Sequence, residues 1–378
     1  MKIAIVYDWI DKWGGVERIL LALNKIFPKA DFYSSYCDQQ QASWAKDLRW
    51  RTSFIQNLPS FIKKNRLLSL PFYPIAFESL NLDVYDVVIS VTSGFAKGII
   101  TKPLTYHVCY LLTPTRFLWV MPKNYDLIGL KAKLFSFYIT YLKRWDYIAA
   151  RRPDKIISIS KTVQDRCLKN YHLPSEVIYP PFDYEYWSKI ANILKKDNYK
   201  LVQKFSEIKN KRFFLAVSRL EKYKRIDLVI KTFNKIKETL VIVGKGSQEN
   251  PLKKMAKKNI YFYKDLTDGE LGYLYQKADA LIMPQEEDFG FVSLESQFFN
   301  CPVIAFKKGG ATETVFSDKT GIFFSHQKEE EVVFAIERFK NLKYNLKKNL
   351  SQNKRQIFER FQYFNFKENF NKIIYRRI

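Results

Sequence analysis

One repeated order constrains this chain more than any other feature: a short apolar run, a polar loop, then a stretch with helical spacing. Residues 1–7 run apolar into the polar, Gly-containing turn Asp8 to Gly15, and the helical pattern Val16 to Ile26 follows. The order returns at Val87–Ser90 with its loop Val91–Gly98, and at Lys155–Ser160 ahead of the helix-like Lys161–Asn170. A further run, Val177–Tyr179, stops at Pro180-Pro181. After a polar, helical stretch from Lys189 to Lys211, a second cycle opens with Phe213–Val217, the basic turn Arg219 to Arg225 and the helix Ile226–Ile236. It continues through runs at Thr239–Val243, Ile260–Tyr263, Ala280–Met283, Val303–Ala305 and Gly321–Phe324. Strands apolar on both faces and alternating with helices predict parallel sheets covered on both sides. Two such cycles predict an α/β chain of two Rossmann-like, doubly wound domains, with ligands at the carboxyl ends of strands facing a central cleft. The first domain is expected over 1–188, completed by a C-terminal helix at 358–378, and the second over 198–357. The linker falls near Asp183 to Asn198.

Length agrees, because 378 residues suit two domains. Hydrophobic residues at 47% and charged residues at 27% exclude a disordered or low-complexity chain. The 63 Lys and Arg against 38 Asp and Glu leave a net charge of +25, a field that attracts polyanions: nucleic acid, anionic lipid or phosphorylated substrates. Four scattered cysteines without a C-x-x-C pair, and three histidines, argue against a zinc site or a disulfide framework. No signal-peptide pattern and no membrane-spanning apolar stretch is present, so the expected location is the cytoplasm, with any membrane contact peripheral. Lys46 to Arg66 holds six basic residues and one acid among Trp50, Phe54 and Phe61. Lys131 to Lys155 holds seven basic residues and two acids beside Phe135, Phe137, Tyr138, Tyr141 and Trp145. Such basic aromatic faces suit an anionic inner leaflet, or cover a Phe-rich core. From Lys340 to Ile378 eleven Lys and Arg face two Glu. That tail is expected to be helical and folded back, to cover Phe358, Phe361, Phe364 and Phe366.

The segment Leu281-Ile-Met-Pro-Gln-Glu-Glu-Asp-Phe-Gly-Phe-Val-Ser-Leu-Glu295 is the most informative. A strand ends at Pro284, carboxylates crowd the loop, and Gly290 opens an apolar helix. A helix start offers unpaired N–H groups to an anion, and a carboxylate accepts both hydroxyls of a vicinal diol. The same acids could instead cap the helix and complement its dipole. The basic turn Ser218-Arg219-Leu-Glu-Lys-Tyr-Lys224-Arg225 follows a strand. It suits a diphosphate, Arg by its fork and Lys as a point charge, or is a solvated turn. Gly244-Lys-Gly246, Gly14-Gly15-Val-Glu17 and Gly309-Gly310-Ala-Thr-Glu313 sit at other strand ends, where glycine permits close approach to phosphate or sugar, or simply a tight turn.

Glu287-Asp-Phe-Gly, four residues, Glu295, then Pro302-Val-Ile-Ala and Gly309-Gly310-x-x-Glu313, resembles the glycosyltransferase family 4 signature. So do Arg219-Leu-x-x-x-Lys224, Gly14 to Glu17, Val177-Ile-Tyr-Pro-Pro-Phe-Asp183 and Ala278-Asp-Ala280. The resemblance covers nearly the whole chain in the right order. It implies a GT-B fold and retaining, metal-independent transfer of a sugar from a nucleotide diphosphate, with no cofactor. By position it implies Arg219 and Lys224 on the donor diphosphate and Glu295 on the ribose. It implies Glu287 as the catalytic residue at the donor sugar, with Phe289, Gly290, Phe291, Gly244, Gly14 and Gly15 completing the donor site. The resemblance places Glu17, Ser93, Arg116 and Glu313 on the acceptor side or leaves their role unassigned.

One position departs from the pattern. Bacterial relatives, many of them mannosyltransferases, carry Cys-Tyr-x-His-Thr-Pro-x-Arg, whereas this chain has Cys109-Tyr-Leu-Leu112-Thr-Pro114-Thr-Arg116. Leu112 replaces a His that looks towards the donor sugar, and His107, five residues earlier, would point to the opposite face. Asn300 stands where relatives usually have Gly. The function expected is transfer of mannose from GDP-mannose to a saccharide or lipid-linked acceptor in surface polysaccharide synthesis, at the inner face of the membrane. The alternatives are a UDP-sugar donor, or a catalytically weakened GT-B protein that binds glycan, anionic lipid or nucleic acid; no recognition motif points to specific nucleic-acid binding.

Overall fold

The computed structural model describes residues 1–11, 13–120, 130–196 and 199–375. It divides into two compact units, Met1–Pro181 with Tyr363–Ile378, and Phe182–Gln362.

The first unit holds seven strands: β1 (Ile3–Tyr7), β2 (Asp31–Ser34), β3 (Trp50–Thr52), β4 (Val87–Thr92), β5 (Tyr106–Leu111), β6 (Lys155–Ser158) and β7 (Glu176–Val177). They pair in parallel in the order β3-β2-β1-β4-β5-β6-β7. β1 and β4 are buried along their whole length, which is why they read as unbroken apolar runs. β2, β3 and β5 carry no such run. β2 begins with Asp31, β3 is three residues with Arg51 in the middle, and β5 contains His107. The predicted helix Val16 to Ile26 is found at Gly15–Ile26, and Lys161–Asn170 at Lys161–Tyr171, capped by the Ser160 hydroxyl on the Val163 N–H.

The second unit holds β8 (Phe213–Val217), β9 (Thr239–Val243), β10 (Ile260–Tyr263), β11 (Leu281–Met283), β12 (Val303–Phe306) and β13 (Gly321–Phe324). The order β10-β9-β8-β11-β12-β13 is again that of a doubly wound sheet. Its core joins Phe214, Phe233, Ile242, Ile304 and Phe339 across strands and flanking helices.

The expected linker is a helix, Tyr184–Lys196, and it belongs to the second unit. Trp187, fully buried, stacks edge-on against Phe299 at 5.6 Å, while Phe182 and Tyr184 pack on Phe298 and Phe358. The chain therefore crosses at Pro181 and again at Gln362, earlier and later than the sequence pattern suggests, because aromatic anchors are invisible to helical periodicity. The basic tail forms the helices Glu329–Gln352, Lys354–Phe358 and Tyr363–Tyr375. Phe358, Phe361 and Phe366 are buried, but Phe364 is 66% exposed, so three of the four phenylalanines expected inside are inside.

His107 is fully buried near the start of β5. Its Nε2 lies 2.8 Å from the Ser90 hydroxyl, and its Nδ1 has no hydrogen-bond partner. Burial pushes its imidazole down to about 3 from 6.5. The native state thus holds His107 neutral while the unfolded chain protonates it below pH 6.5. Its contribution is present above that pH and is lost as pH falls towards 3. The wild type should lose about 2 kcal/mol more stability between pH 7 and pH 5 than His107→Gln, read from urea unfolding at the two pH values.

Candidate functional site

In the second unit β8 and β11 are neighbours, with β9 on the far side of β8, so the strand order reverses between β8 and β11. Loops leaving two such carboxyl ends diverge and open a crevice. The loop after β8 carries Arg219 and Lys224, and the loop after β11 carries Gln285, Glu287 and Gly290. Lys224 bridges them. Its Nζ lies 2.5 Å from Glu287 Oε1, with the two side chains only 10% and 19% exposed. Gln285 Nε2 donates to the same carboxylate oxygen at 2.8 Å, and Gln285 is itself buried. A second tie runs alongside: Arg225 Nη1 donates to Gln327 Oε1 at 3.0 Å, and Gln327 Nε2 to the Pro284 carbonyl at 2.7 Å. Charge-assisted bonds of this kind strengthen where water is excluded. The carboxylate is held on one oxygen by two donors from two loops, with a cation beside it.

The glycines of the neighbouring loops explain how close these loops come. The Gly310 N–H donates to the Glu287 carbonyl at 2.8 Å, and a Cβ on Gly310 would meet the Phe289 backbone at 2.3 to 2.5 Å. At Gly244, the room for a side chain is taken by the Ser218 carbonyl, 1.9 Å from where a Cβ would stand. Gly244 thus sets the loop after β9 directly on the Arg219 loop. Glu286 pairs with Lys308 at 3.2 Å. Gly290 is the N-cap of the helix Phe291–Phe298, and Phe289 is buried against Phe291 and Phe361. Glu295, in that helix, is buried and accepts from the Tyr275 hydroxyl at 3.2 Å. Arg219 stays exposed, its Nη2 2.7 Å from the Tyr223 hydroxyl. Glu313 is buried in the short helix Ala311–Thr314.

The first unit repeats the reversal between β1 and β4. Asp8, at the end of β1, is fully buried and accepts four bonds of 2.8 Å, from the Thr92 hydroxyl and the N–H groups of Ser93, Phe95 and Ala96. Burial pushes its carboxyl up, against the pull of these bonds. Glu17, buried on the helix that Gly14 and Gly15 begin, shares this end, and with burial and Asp8 it raises the Tyr7 phenol well above its ordinary value. Behind them Lys97 and Asp146 form a fully buried pair at 2.6 Å. Asp146 also accepts from Thr115 at 2.6 Å, Tyr171 at 2.7 Å and Trp119 at 2.8 Å. This cluster fixes the turn that precedes Arg116, the first residue of the helix Arg116–Trp119.

Residues 197–357 match the family Glycosyl transferases group 1. The chain is 28% identical over 345 residues to an uncharacterized 41.2 kDa protein in the cps region of Klebsiella pneumoniae, covering 85% of each chain. It is 25% identical to the O-antigen chain mannosyltransferase RfbU of Salmonella typhimurium, covering 77% of each. Among solved structures, HepE of Anabaena in complex with UDP superposes with a TM-score of 0.70 at 18% identity, over 99% of both chains. The chain has the GT-B fold.

In this chain the position of the expected His is filled by Leu112, buried just after β5, its N–H on the Thr92 carbonyl at 2.8 Å. His107 lies towards the other end of the same strand, locked to Ser90, so no imidazole replaces it there. Asn300 takes φ +58, the left-handed conformation a Gly would adopt, and Asn is among the residues that tolerate it. The turn before Cys301 is thus kept. Sequence reasoning missed Asp8, Gln285 and the Lys97–Asp146 pair. Asp8 had a readable signal as the acid that ends an apolar strand; the other two depend on contacts far apart in sequence. Gly310→Ala should cost about 1–3 kcal/mol through overpacking against Phe289, measured by urea unfolding. Activity should fall further than stability explains, because the Glu287 backbone moves.

Proposed function

We propose that the chain transfers mannose, with retention of configuration, from GDP-mannose to a saccharide acceptor in surface polysaccharide synthesis, as a member of glycosyltransferase family 4. The observation that carries the reading is the contact of Lys224 with Glu287, which joins the diphosphate motif to the sugar motif across the strand reversal. In this reading Arg219 forks onto the diphosphate and Lys224 shares its charge between phosphate and Glu287. Glu295 takes the ribose hydroxyls, and Glu287 faces the donor sugar. The leaving group is a diphosphate, so cations fixed beside it neutralise charge as the glycosidic bond breaks, without a metal. Phe289, Gly290, Phe291, Gly244, Gly14 and Gly15 shape the donor side, and Glu17, Ser93, Arg116 and Glu313 the acceptor side or its support.

The mannosyltransferase name of the Salmonella relative supports the sugar, and the cps-region name of the Klebsiella relative supports the polysaccharide setting. A UDP-sugar is the second reading, favoured by a structural neighbour solved with UDP-glucose. A lipid-linked acceptor would bring the protein to the inner face of the membrane by peripheral contact. No helix among the described residues is long and apolar enough to cross it.

A thermal-shift screen against GDP, UDP, ADP, dTDP and CMP, with and without EDTA, tests the donor. A ligand that binds only the folded state raises the melting temperature. GDP should do so selectively and EDTA should change nothing; selectivity for UDP moves the donor to the second reading, and no response to any nucleotide overturns transfer from a nucleotide sugar. Arg219→Ala should weaken nucleotide binding. Glu287→Ala should keep that binding and lower kcat by about 10²–10³, and unchanged transfer would remove Glu287 from the chemistry.

A further inference from the structure

We propose that Gln285 recognises a hydroxyl group of the donor sugar through its side-chain carbonyl oxygen, a role that rests on the nucleotide-sugar reading above and adds a residue to that site. Gln285 follows Pro284 in the loop after β11 and is 1% exposed. The two ends of its amide have different fates. Nε2 donates to Glu287 Oε1 at 2.8 Å, whereas Gln285 Oε1 is buried with no hydrogen-bond partner among the described residues. Turning the amide over would set its oxygen against the carboxylate oxygen, acceptor on acceptor, so the Glu287 contact fixes which end is which.

A buried acceptor left unpaired costs free energy that a paired one does not. This one is also held still. The Pro284 carbonyl is tied by Gln327 Nε2 at 2.7 Å, and the Glu287 carbonyl by the Gly310 N–H at 2.8 Å, so the backbone on either side of Gln285 is fixed. Gln297 gives the contrast within the same unit. Its Oε1 is likewise unpartnered, but its Nε2 serves the Ser293 and Thr314 carbonyls at 2.9 Å each, a backbone tie between two helices. The Gln285 nitrogen serves instead a carboxylate that Lys224 also holds, and its oxygen stands on the same carbon as that nitrogen.

The chemistry of the oxygen selects its partner. An amide carbonyl accepts and cannot donate, so the phosphate oxygens of a nucleotide sugar, which only accept, are excluded. A metal ion is disfavoured, because the Lys224 ammonium already sits on the carboxylate the ion would share. Hydroxyl and N–H groups remain, and the part of the donor that Glu287 faces in the proposed function is the sugar. A site built to bond a hydroxyl rejects the analogue without it, since its own acceptor is then stranded. Gln285 thus sets which sugar is taken rather than how tightly the nucleotide is held.

The test is calorimetric titration of the full chain with GDP, GDP-mannose and the monodeoxy forms of GDP-mannose, and with UDP, UDP-glucose and its monodeoxy forms. The wild type should bind one monodeoxy sugar about tenfold or more weakly than its parent. Gln285→Met and Gln285→Leu should bind that analogue and its parent alike, and the bare nucleotide as the wild type does. Gln297→Met should lower the melting temperature and keep the wild-type preference. A wild type that binds every monodeoxy form like its parent overturns the proposal without recourse to any variant. So do Gln285 variants that keep the preference or lose the bare nucleotide in the same proportion, and so does loss of the preference in Gln297→Met, which would make it a matter of packing. Binding of the UDP pair alone would correct the donor named above and leave Gln285 its role, because the preference is read against the parent of each series. No binding of any nucleotide would overturn the nucleotide-sugar reading itself, and the role of Gln285 with it.

Discussion

Parallel strand pairing is the constraint on which the rest depends. A parallel neighbour cannot be reached by a tight turn, so each connection must cross the sheet, and all strands of one sheet end on the same edge. That edge collects the loops. In both units the strand order reverses next to the first strand of the unit, and there the loops part. Arg219, Lys224, Gln285 and Glu287 lie at one such reversal, and Asp8, Ser93 and Glu17 at the other. Residues with chemistry to do need no special local fold; they need to be the first residues after an apolar run.

The two reversals are furnished differently. In the first unit the buried carboxylate of Asp8 is satisfied by backbone N–H groups of the loop after β4, and Lys97 is consumed by Asp146. These are internal ties, and removing one partner would leave a buried charge alone, a costly state. In the second unit the Lys224 and Glu287 side chains keep 10% and 19% of their surface, against 1% and 0% for Lys97 and Asp146. The glycines at 244 and 310 bring the loops of the second unit together by letting backbone rest on backbone.

Much of this was legible in the sequence where burial is two-sided. β8, β9 and β13 were expected at the limits they have, because strands apolar on both faces leave no ambiguity of period; β10, an edge strand with only Ile260 buried, was expected at its limits from its unbroken apolar and aromatic run. β2 and β3 were not among the expected strands, and β5 entered only as the strand that sets His107 opposite Leu112, since short or polar-bearing strands give no alternation to count. At the site, residue type and loop position indicated Arg219, Lys224, Glu287 and Glu295. The partner each one has could not be read, because Lys224 and Glu287 are 63 residues apart and periodicity carries no information at that range. The same limit hid Gln285, which differs from an ordinary polar loop residue only by the carboxylate it touches. The unit boundary was displaced for a related reason: Trp187 attaches its helix to the second unit by a contact with Phe299.

The helix Tyr363–Tyr375 has a consequence for how the chain comes off the ribosome. Phe366 and Phe370 are buried and pack against Tyr110, so the end of the chain supplies part of the core of the unit begun by β1. Domains that fold as they emerge do so from the N-terminus, but here the whole of Phe182–Gln362 is synthesised before the first unit receives its last helix. The nascent first unit must wait with Tyr110 uncovered. The second unit, continuous in sequence, can finish folding before the one that precedes it.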